Sequence, residues 1–334
     1  MLDEDDAAGD NAVSFAAVHY PQREGLEMKS LVQHFQQRRS ASNGGGGHLA
    51  PFGARRFKPR LEFRSGDLAP GDRRSAALDL SPLKFDVIRS AADPLFEEAY
   101  GHLWLEFGAR HEMESRGALR QRFDLAPRIV YEMIYVQRDE EFVAARDHTI
   151  ILGQDDHHAI VHLSHNLVTP SARRTGLAGW LRALPVCGAR ECLAANGTAN
   201  GSAASSAARI TLVSEMEHPF QDDPHGSIRL RAYEKAGFRK IDPSRIAYHQ
   251  PDFREPGVID STGGPRPLPF QLIIRRVGRE HERAISGAET RTLVQALYDV
   301  YGPQFRPEDM AHPLLSLDSY PADDATVALI LPTQ

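Results

Sequence analysis

Between residues 129 and 216 the chain carries three strand-like apolar runs in quick succession, one helix, and then a fourth run, an order few folds can satisfy. The first three are Ile129 to Val136, Phe142 to Leu152 and Ala159 to Val168, rich in β-branched and aromatic residues. Only the polar stretches Gln137 to Glu141 and Gly153 to His158 separate them, and connections that short join antiparallel neighbours. The helix after the third run carries Leu177, Trp180, Leu181 and Leu184 at i, i+3, i+4 and i+7 before Pro185 stops it. A strand that follows such a helix, Ile210 to Met216, returns parallel to the strand before it, because only a crossover brings the chain back in the same direction. The expected fold class is therefore α/β (α+β): a mixed, mostly antiparallel sheet flanked by helices, with one parallel strand pair.

Elements on either side extend this sheet. Phe85 to Ile88 reads as a first strand, and Asp93-Pro94 starts a helix whose Phe96, Ala99, Tyr100, Leu103 and Phe107 form one apolar stripe. A shorter helix over Ala118 to Phe123 ends before Pro127. Downstream, a helix through Tyr233 closes at Gly237, with Phe238 packing back on it. Arg245 to His249 and Phe270 to Val277 read as closing strands around a Pro/Gly-rich loop, Pro251 to Pro269. Residues 1–80 mix acidic and basic patches with a glycine run at Gly44 to Gly47, and are expected to lack order apart from a short helix over Leu26 to Gln37. The organisation expected is an N-terminal extension over 1–80, a catalytic-type domain over 81–280 interrupted by a Gly/Ala/Ser/Asn-rich surface insertion at 186–208, and a C-terminal helix and strand extension over 281–334.

With 334 residues, 41% of them apolar and 25% charged, the chain can build a substantial core. No apolar window is long enough to span a membrane, and the acidic start Asp3-Glu4-Asp5-Asp6 is unlike the basic lead of a secretion signal, so the expectation is a cytoplasmic protein without membrane contact. A net charge of −6 argues against general nucleic-acid affinity. The arginines of the first quarter, among them Arg38, Arg39, Arg55, Arg56, Arg73 and Arg74, read either as an arm for an acidic partner or as a solvated tail. Cys187 and Cys192 have no matching Cys or His pair nearby, which argues against zinc or any other bound metal and for two free thiols.

The stretch that carries chemistry is the junction Val168-Thr169-Pro170-Ser171-Ala172-Arg173-Arg174-Thr175-Gly176-Leu177-Ala178. A helix start exposes N–H groups without internal partners at the positive end of the dipole, Gly176 and Ala178 keep the approach open, and Arg173 and Arg174 add forked donors: the junction suits a phosphate. Its pattern V-x-P-x-x-R-x-x-G-x-A resembles the acyl-coenzyme A pyrophosphate loop of the GNAT superfamily of N-acetyltransferases. Arg231-Ala232-Tyr233-Glu234-Lys235-Ala236-Gly237-Phe238 resembles that family's tyrosine-bearing helix. The match covers roughly residues 81–280. It implies that the parallel strands bearing Val168 and Glu215 splay apart, that the pantetheine arm of acetyl-CoA or another acyl-CoA fills the gap, and that Leu167, Val168, Arg173, Arg174, Thr175, Gly176, Leu177 and Ala178 hold the cofactor. It also implies direct transfer to an amine without an acyl-enzyme, with Tyr233 as general acid toward the departing thiolate. Gly226 stands where many members have asparagine, seven residues before that tyrosine, a departure that bears on one hydrogen bond to the cofactor arm.

An amine is largely protonated at neutral pH, so a base is needed. Glu215 and Glu217 share one strand face and are the candidates, with His218 third in line. His165 and Asn166, near the acyl end, are candidates for substrate contact. His162 and His165 lie three apart on one strand, which places them on opposite faces and in structural roles. Glu106, Glu112 and Glu114 on the first helix could attract a cationic amine. The partners implied are an acyl-CoA and an amine acceptor; a homodimer stays open. So do a non-catalytic acyl-CoA-binding sensor and an acyl-amino-acid synthase on the same fold.

Overall fold

The computed structural model describes residues 55–57, 63–64, 66–153, 157–199, 208–218 and 224–334. In chain order these form β1 (Arg55–Phe57), α1 (Arg73–Ala77), β2 (Lys84–Ile88), α2 (Phe96–Phe107), α3 (Arg116–Arg122), β3 (Ile129–Arg138), β4 (Glu141–Leu152), β5 (His158–Val168), α4 (Leu177–Ala183), α5 (Pro185–Ala199), β6 (Arg209–Glu217), α6 (Pro224–Lys235), β7 (Arg239–Ile241), β8 (Tyr248–Gln250), α7 (Pro256–Ser261), β9 (Leu268–Arg276), β10 (Ala284–Ser286), α8 (Gly287–Tyr301), α9 (Pro307–Ser316) and β11 (Thr326–Ile330). The helix expected over 26–37 lies outside the described residues.

The strands join in the order β1-β2-β3-β4-β5-β6-β9-β7-β11-β10, with β8 beside β9. Among the described strands only β5 and β6 pair in parallel. Local chemistry sets this layout. Asp139 and Glu140, both at positive φ (51° and 63°), make the two-residue turn that folds β4 back on β3. Between β5 and β6, α4 and α5 provide the crossover a parallel pair requires. The central strands are buried on both faces, so neighbouring residues serve different cores. Ile160 and Val213 pack with Leu293, Leu297 and Val300 of α8, whereas Val161 and Leu212 pack with Val186 and Ala189 of α5 and Leu230 of α6. Toward β2, Phe85 and Ile134 meet Trp180 and Leu181 of α4, and Tyr131 and Met133 meet Phe96 and Leu103 of α2.

Four expectations are corrected. Residues 186–199 are not a surface insertion: Val186, Cys187, Ala189, Cys192 and Leu193 of α5 are buried. Their small neighbours have a packing reason, since a Cβ on Gly188 would stand 2.8 Å from a Glu132 carboxylate oxygen. Residues 66–80, within the lead expected to lack order, are folded, with Asp67, Ala69, Ser75 and Leu80 buried. Polar anchors hold them in place of an apolar stripe: Trp180 Nε1 donates to the Ser75 carbonyl at 2.7 Å, and Arg275 Nη1 donates to the Asp67 carbonyl at 2.6 Å. The stretch after residue 280 is no appendage, because β11 pairs with β7 and α8 fills one face of the central sheet. Finally, α2 ends at Phe107, so Glu112 and Glu114 belong to the loop beyond it. Both cysteines are buried, and neither forms a disulfide. No helix among the described residues is long and apolar enough to cross a membrane.

Candidate active site

β5 and β6 stay paired only from His158↔Arg209 to His162↔Val213, although β5 runs on to Val168 and β6 to Glu217. Ser214 Oγ, donating to the Leu163 carbonyl at 3.2 Å, marks where they part. Past that point the edge of β5 has no ladder partner among the described residues. Into the wedge opens a cavity of about 160 Å³. Leu163 to Asn166 of β5 and Ser214 to Glu217 of β6 line it, together with Tyr233 of α6 and with Glu112, Glu114, Phe253, Phe270 and Tyr301.

A β-bulge shapes the wedge. Arg146↔Asn166 and His148↔Leu163 are consecutive pairs, so Ser164 and His165 together face Asp147 alone. The extra residue resets the alternation, and His162 and His165 line the same cavity in place of the opposite faces their spacing suggests. The Asp147 carboxylate secures the bulge by accepting from the His165 backbone N–H at 2.7 Å, from His165 Nδ1 at 2.9 Å and from the Tyr131 hydroxyl at 2.9 Å. His165 Nε2 donates to the Glu112 carbonyl at 2.8 Å. Both ring nitrogens thus face acceptors, which only an imidazolium satisfies. Burial alone would lower the His165 pKa, but the charge and hydrogen bonds of Asp147 outweigh it and raise it to about 9. The same contacts hold the Asp147 carboxyl well below its ordinary range against the opposing effect of burial.

Glu215 is buried, and hydrogen-bond donors crowd it: His162 Nε2 at 2.8 Å, the Tyr301 hydroxyl at 2.8 Å, the Tyr248 hydroxyl at 2.5 Å and Gln250 Nε2 at 3.3 Å. Burial pushes its carboxyl up; the His162 and tyrosine contacts overcome this and hold it below the ordinary value. Glu217 shares its strand face but is exposed at the rim, where Arg229 reaches it at 3.0 Å. Glu114 is paired with the fully buried Arg122, and Glu112 lies 3.0 Å from Arg110 while burial raises its pKa. His218 follows β6 and is not among the cavity-lining residues.

Tyr233 is buried against Phe238, with the Arg182 guanidinium 5.2 Å from its ring centre. Burial would raise the phenol's pKa, yet the charges of the neighbouring Arg146 and Arg182 outweigh it and bring it below its usual value. Arg146 is fully buried, and none of its guanidinium nitrogens has a well-aligned acceptor among the described residues.

At the far end of β5, Leu167 and Val168 lead into the turn before α4. Thr175 braces it, its Oγ1 donating to the Ala172 carbonyl at 2.8 Å and accepting from the Leu177 N–H at 3.3 Å. Arg174 (φ 65°) and Gly176 (φ 107°) take left-handed conformations. The amides of Arg174, Thr175, Gly176 and Ala178 meet no acceptor among the described residues, and the Arg173 and Arg174 side chains are exposed. The glycine has a different reason from the one the sequence suggests: a Cβ at 176 would lie 2.7 Å from the Arg74 carbonyl oxygen, so its absence admits α1 onto the flank of α4. Arg74 Nη1 donates to the Arg174 carbonyl at 3.1 Å, which brings an arginine from outside the motif to the loop.

Antiparallel β3, β4 and β5, a helical crossover, and a parallel β6 that splays from β5 beside a tyrosine-bearing helix reproduce the layout the sequence resemblance implies. The chain has the GNAT fold. No family model and no curated protein matches the sequence. Among solved structures it is similar to N-acetylglutamate synthase from Neisseria gonorrhoeae complexed with coenzyme A and N-acetyl-glutamate, at 12% identity over 58% of this chain with a TM-score of 0.33; it spans 35% of that chain's length. It is also similar to an acetyltransferase from Streptococcus agalactiae (12% identity, 57% of this chain, 98% of that one, TM-score 0.30) and to a GNAT family acetyltransferase from Elizabethkingia anophelis with acetyl-CoA bound (12%, 59%, 99%, TM-score 0.28). Beside the GNAT elements, α8 is the part of the site that sequence reasoning missed: Tyr301 looks like one more member of an apolar stripe. Once the parallel register is known, His162 falls on the same face as Glu215, a pairing no local motif announces.

Proposed function

We propose that the chain is an acyl-CoA-dependent N-acyltransferase that, most simply, moves acetyl from acetyl-CoA directly to a primary amine. The observation that carries this reading is the cavity at the β5/β6 wedge, whose lining brings an acidified phenol together with carboxylates and histidines. An acyl carrier laid along the unpaired edge of β5 would find backbone groups for its pantetheine amides at Leu167 and Val168. The amides of Arg174, Thr175, Gly176 and Ala178, with the Arg173 and Arg174 side chains, suit its diphosphate. Its thioester would then reach the wedge beside Tyr233.

In this reading Tyr233 gives its proton to the departing thiolate, and the lowered pKa makes it a better acid for that purpose. The acceptor enters from the Glu112, Glu114 and Tyr301 side, where carboxylates favour an ammonium and the rings of Phe253 and Phe270 favour an apolar body. Ser164 Oγ, Asn166 Oδ1 and His162 Nδ1 have no hydrogen-bond partner among the described residues although all three residues line the cavity, which suits a polar ligand.

Calorimetric titration with coenzyme A, followed by thiol release from acetyl-CoA against a panel of primary amines, tests the reading. Binding with amine-dependent thiol release is expected. Binding with no release for any amine would favour an acyl-CoA sensor, and no binding at all would remove both.

A further inference from the structure

We infer that His162, through Nδ1, is the base that takes the proton from the acceptor's ammonium group, with Glu215 as the positioning residue that fixes its tautomer. The inference rests on the proposed acyl transfer and adds a residue to it. It follows from counting donors and acceptors. Tyrosine hydroxyls and a glutamine Nε2 can only donate to a carboxylate, and so can a ring N–H. Glu215 takes His162, Tyr301 and Gln250 on Oε2 and Tyr248 on Oε1, so four donors already stabilise its negative charge and make it a weak base toward an incoming ammonium. His162 must carry its proton on Nε2 to make its 2.8 Å bond, and its basic lone pair then sits on Nδ1. That nitrogen is buried, lacks a partner among the described residues, and belongs to a residue that lines the cavity and is 1% exposed.

The other candidates each already face a charged or hydrogen-bonding partner. His165 is held as an imidazolium between Asp147 and the Glu112 carbonyl. Glu114 is committed to Arg122, and Glu217 to Arg229 at the rim. Glu112 is paired with Arg110. The step balances as follows. The ammonium N–H bond breaks and its proton goes to His162 Nδ1, giving an imidazolium paired with the Glu215 carboxylate. The freed nitrogen lone pair bonds to the thioester carbon, the C–S bond breaks, and sulfur takes a proton from Tyr233. The amide nitrogen loses its second proton through solvent, which returns one proton to the phenolate, and His162 releases its own to water.

The test has two arms. In the wild-type protein, ¹⁵N NMR of the imidazoles needs no acceptor: the neutral His162 ring should carry its proton on Nε2 and leave Nδ1 bare, and the opposite tautomer would overturn the assignment. In the second arm, His162→Gln keeps a donor for Glu215 but removes the base, and His162→Asn serves if that variant does not fold. Thiol release should fall by roughly 10²–10⁴-fold, while coenzyme A affinity, read by calorimetry, stays within about twofold. The deficit should shrink by roughly tenfold per pH unit as the amine approaches its own pKa near 10, because the acceptor then arrives deprotonated. Glu215 and Tyr301 contact His162, and Glu112, Glu114, His165, Glu217, Arg229 and Tyr233 line the same cavity; they are the same in both proteins, so the ratio of rates isolates the base. A loss that high pH does not rescue, or no loss at all, refutes the inference. Failure of the wild type to bind coenzyme A refutes instead the acyl-transfer reading beneath it.

Discussion

The His165–Asp147 pair turns the bulge into a titratable clamp with a calculable effect on stability. A group whose pKa is raised on folding binds its proton more tightly in the native state, so its contribution is complete below the unfolded pKa and vanishes as pH rises through the folded one. For His165 these limits are the ordinary histidine value of 6.5 and a native value of about 9. At about 1.4 kcal/mol per pKa unit the full contribution is roughly 3 kcal/mol, of which most remains at pH 7 and little at pH 10. Asp147 has the opposite sign: its depressed pKa gives stability that is present above the ordinary aspartate range and lost only in strong acid, so it does not move in this window.

Urea unfolding at steps from pH 6 to pH 10, for the wild type and for His165→Gln, measures the effect. The difference in unfolding free energy between the two proteins should narrow by about 2–3 kcal/mol across that range, while the urea m-value stays constant. Background titration of other groups is shared and cancels in the difference. A gap that does not change with pH would mean that His165 is neutral in the folded protein. The reading of the bulge as an ion-paired clamp would then be wrong.

Other outcomes follow from the same geometry. Arg122→Met leaves the buried Glu114 carboxylate without its partner and should cost about 3–5 kcal/mol; a loss under 1 kcal/mol in chemical denaturation would show that water reaches the site. Gly176→Ala must adopt φ 107° and meet the Arg74 carbonyl, a cost of about 1–3 kcal/mol; unchanged stability would mean that α1 does not press on the loop. Tyr233→Phe should lower thiol release by about 10²-fold or more with coenzyme A affinity within about twofold, and an unchanged rate would remove Tyr233 as the acid.

What was legible in the sequence was whatever depends on short-range pattern. The four central strands, their directions and the crossover follow from periodicity and loop length, and their observed limits lie within two residues of the expected ones. The segments read as loose failed for a shared reason. α5 hides its buried face among glycine and alanine, whose packing value comes from a neighbour such as Glu132, and residues 66–80 are held by Arg190 and Arg275 from distant parts of the chain. The bulge was illegible because nothing local marks it: only the pairing of β5 with β4 shows that Asp147 faces two residues. The expectation that His162 and His165 lie on opposite faces fails because of that single inserted residue.

The wedge also explains why so much charge is buried around it. Arg122 lies 5.5 Å from the Tyr131 ring centre and 5.9 Å from that of Tyr301, Tyr131 donates to Asp147, and Tyr301 donates to Glu215. These contacts link the bulge, the Glu114 pair and the Glu215 cluster into one polar layer between the sheet and α8. Well-packed apolar side chains in the same places would hold the fold at least as well, because each buried ion loses several kcal/mol of hydration that its partner only partly returns. Stability therefore does not account for the layer. Orientation does: each member has a donor or acceptor fixed by the next, so the ring nitrogen of His162, the carboxylate of Glu215 and the imidazolium of His165 are each held in one protonation pattern. An apolar wall could not do this, and the proposed acyl transfer would require it.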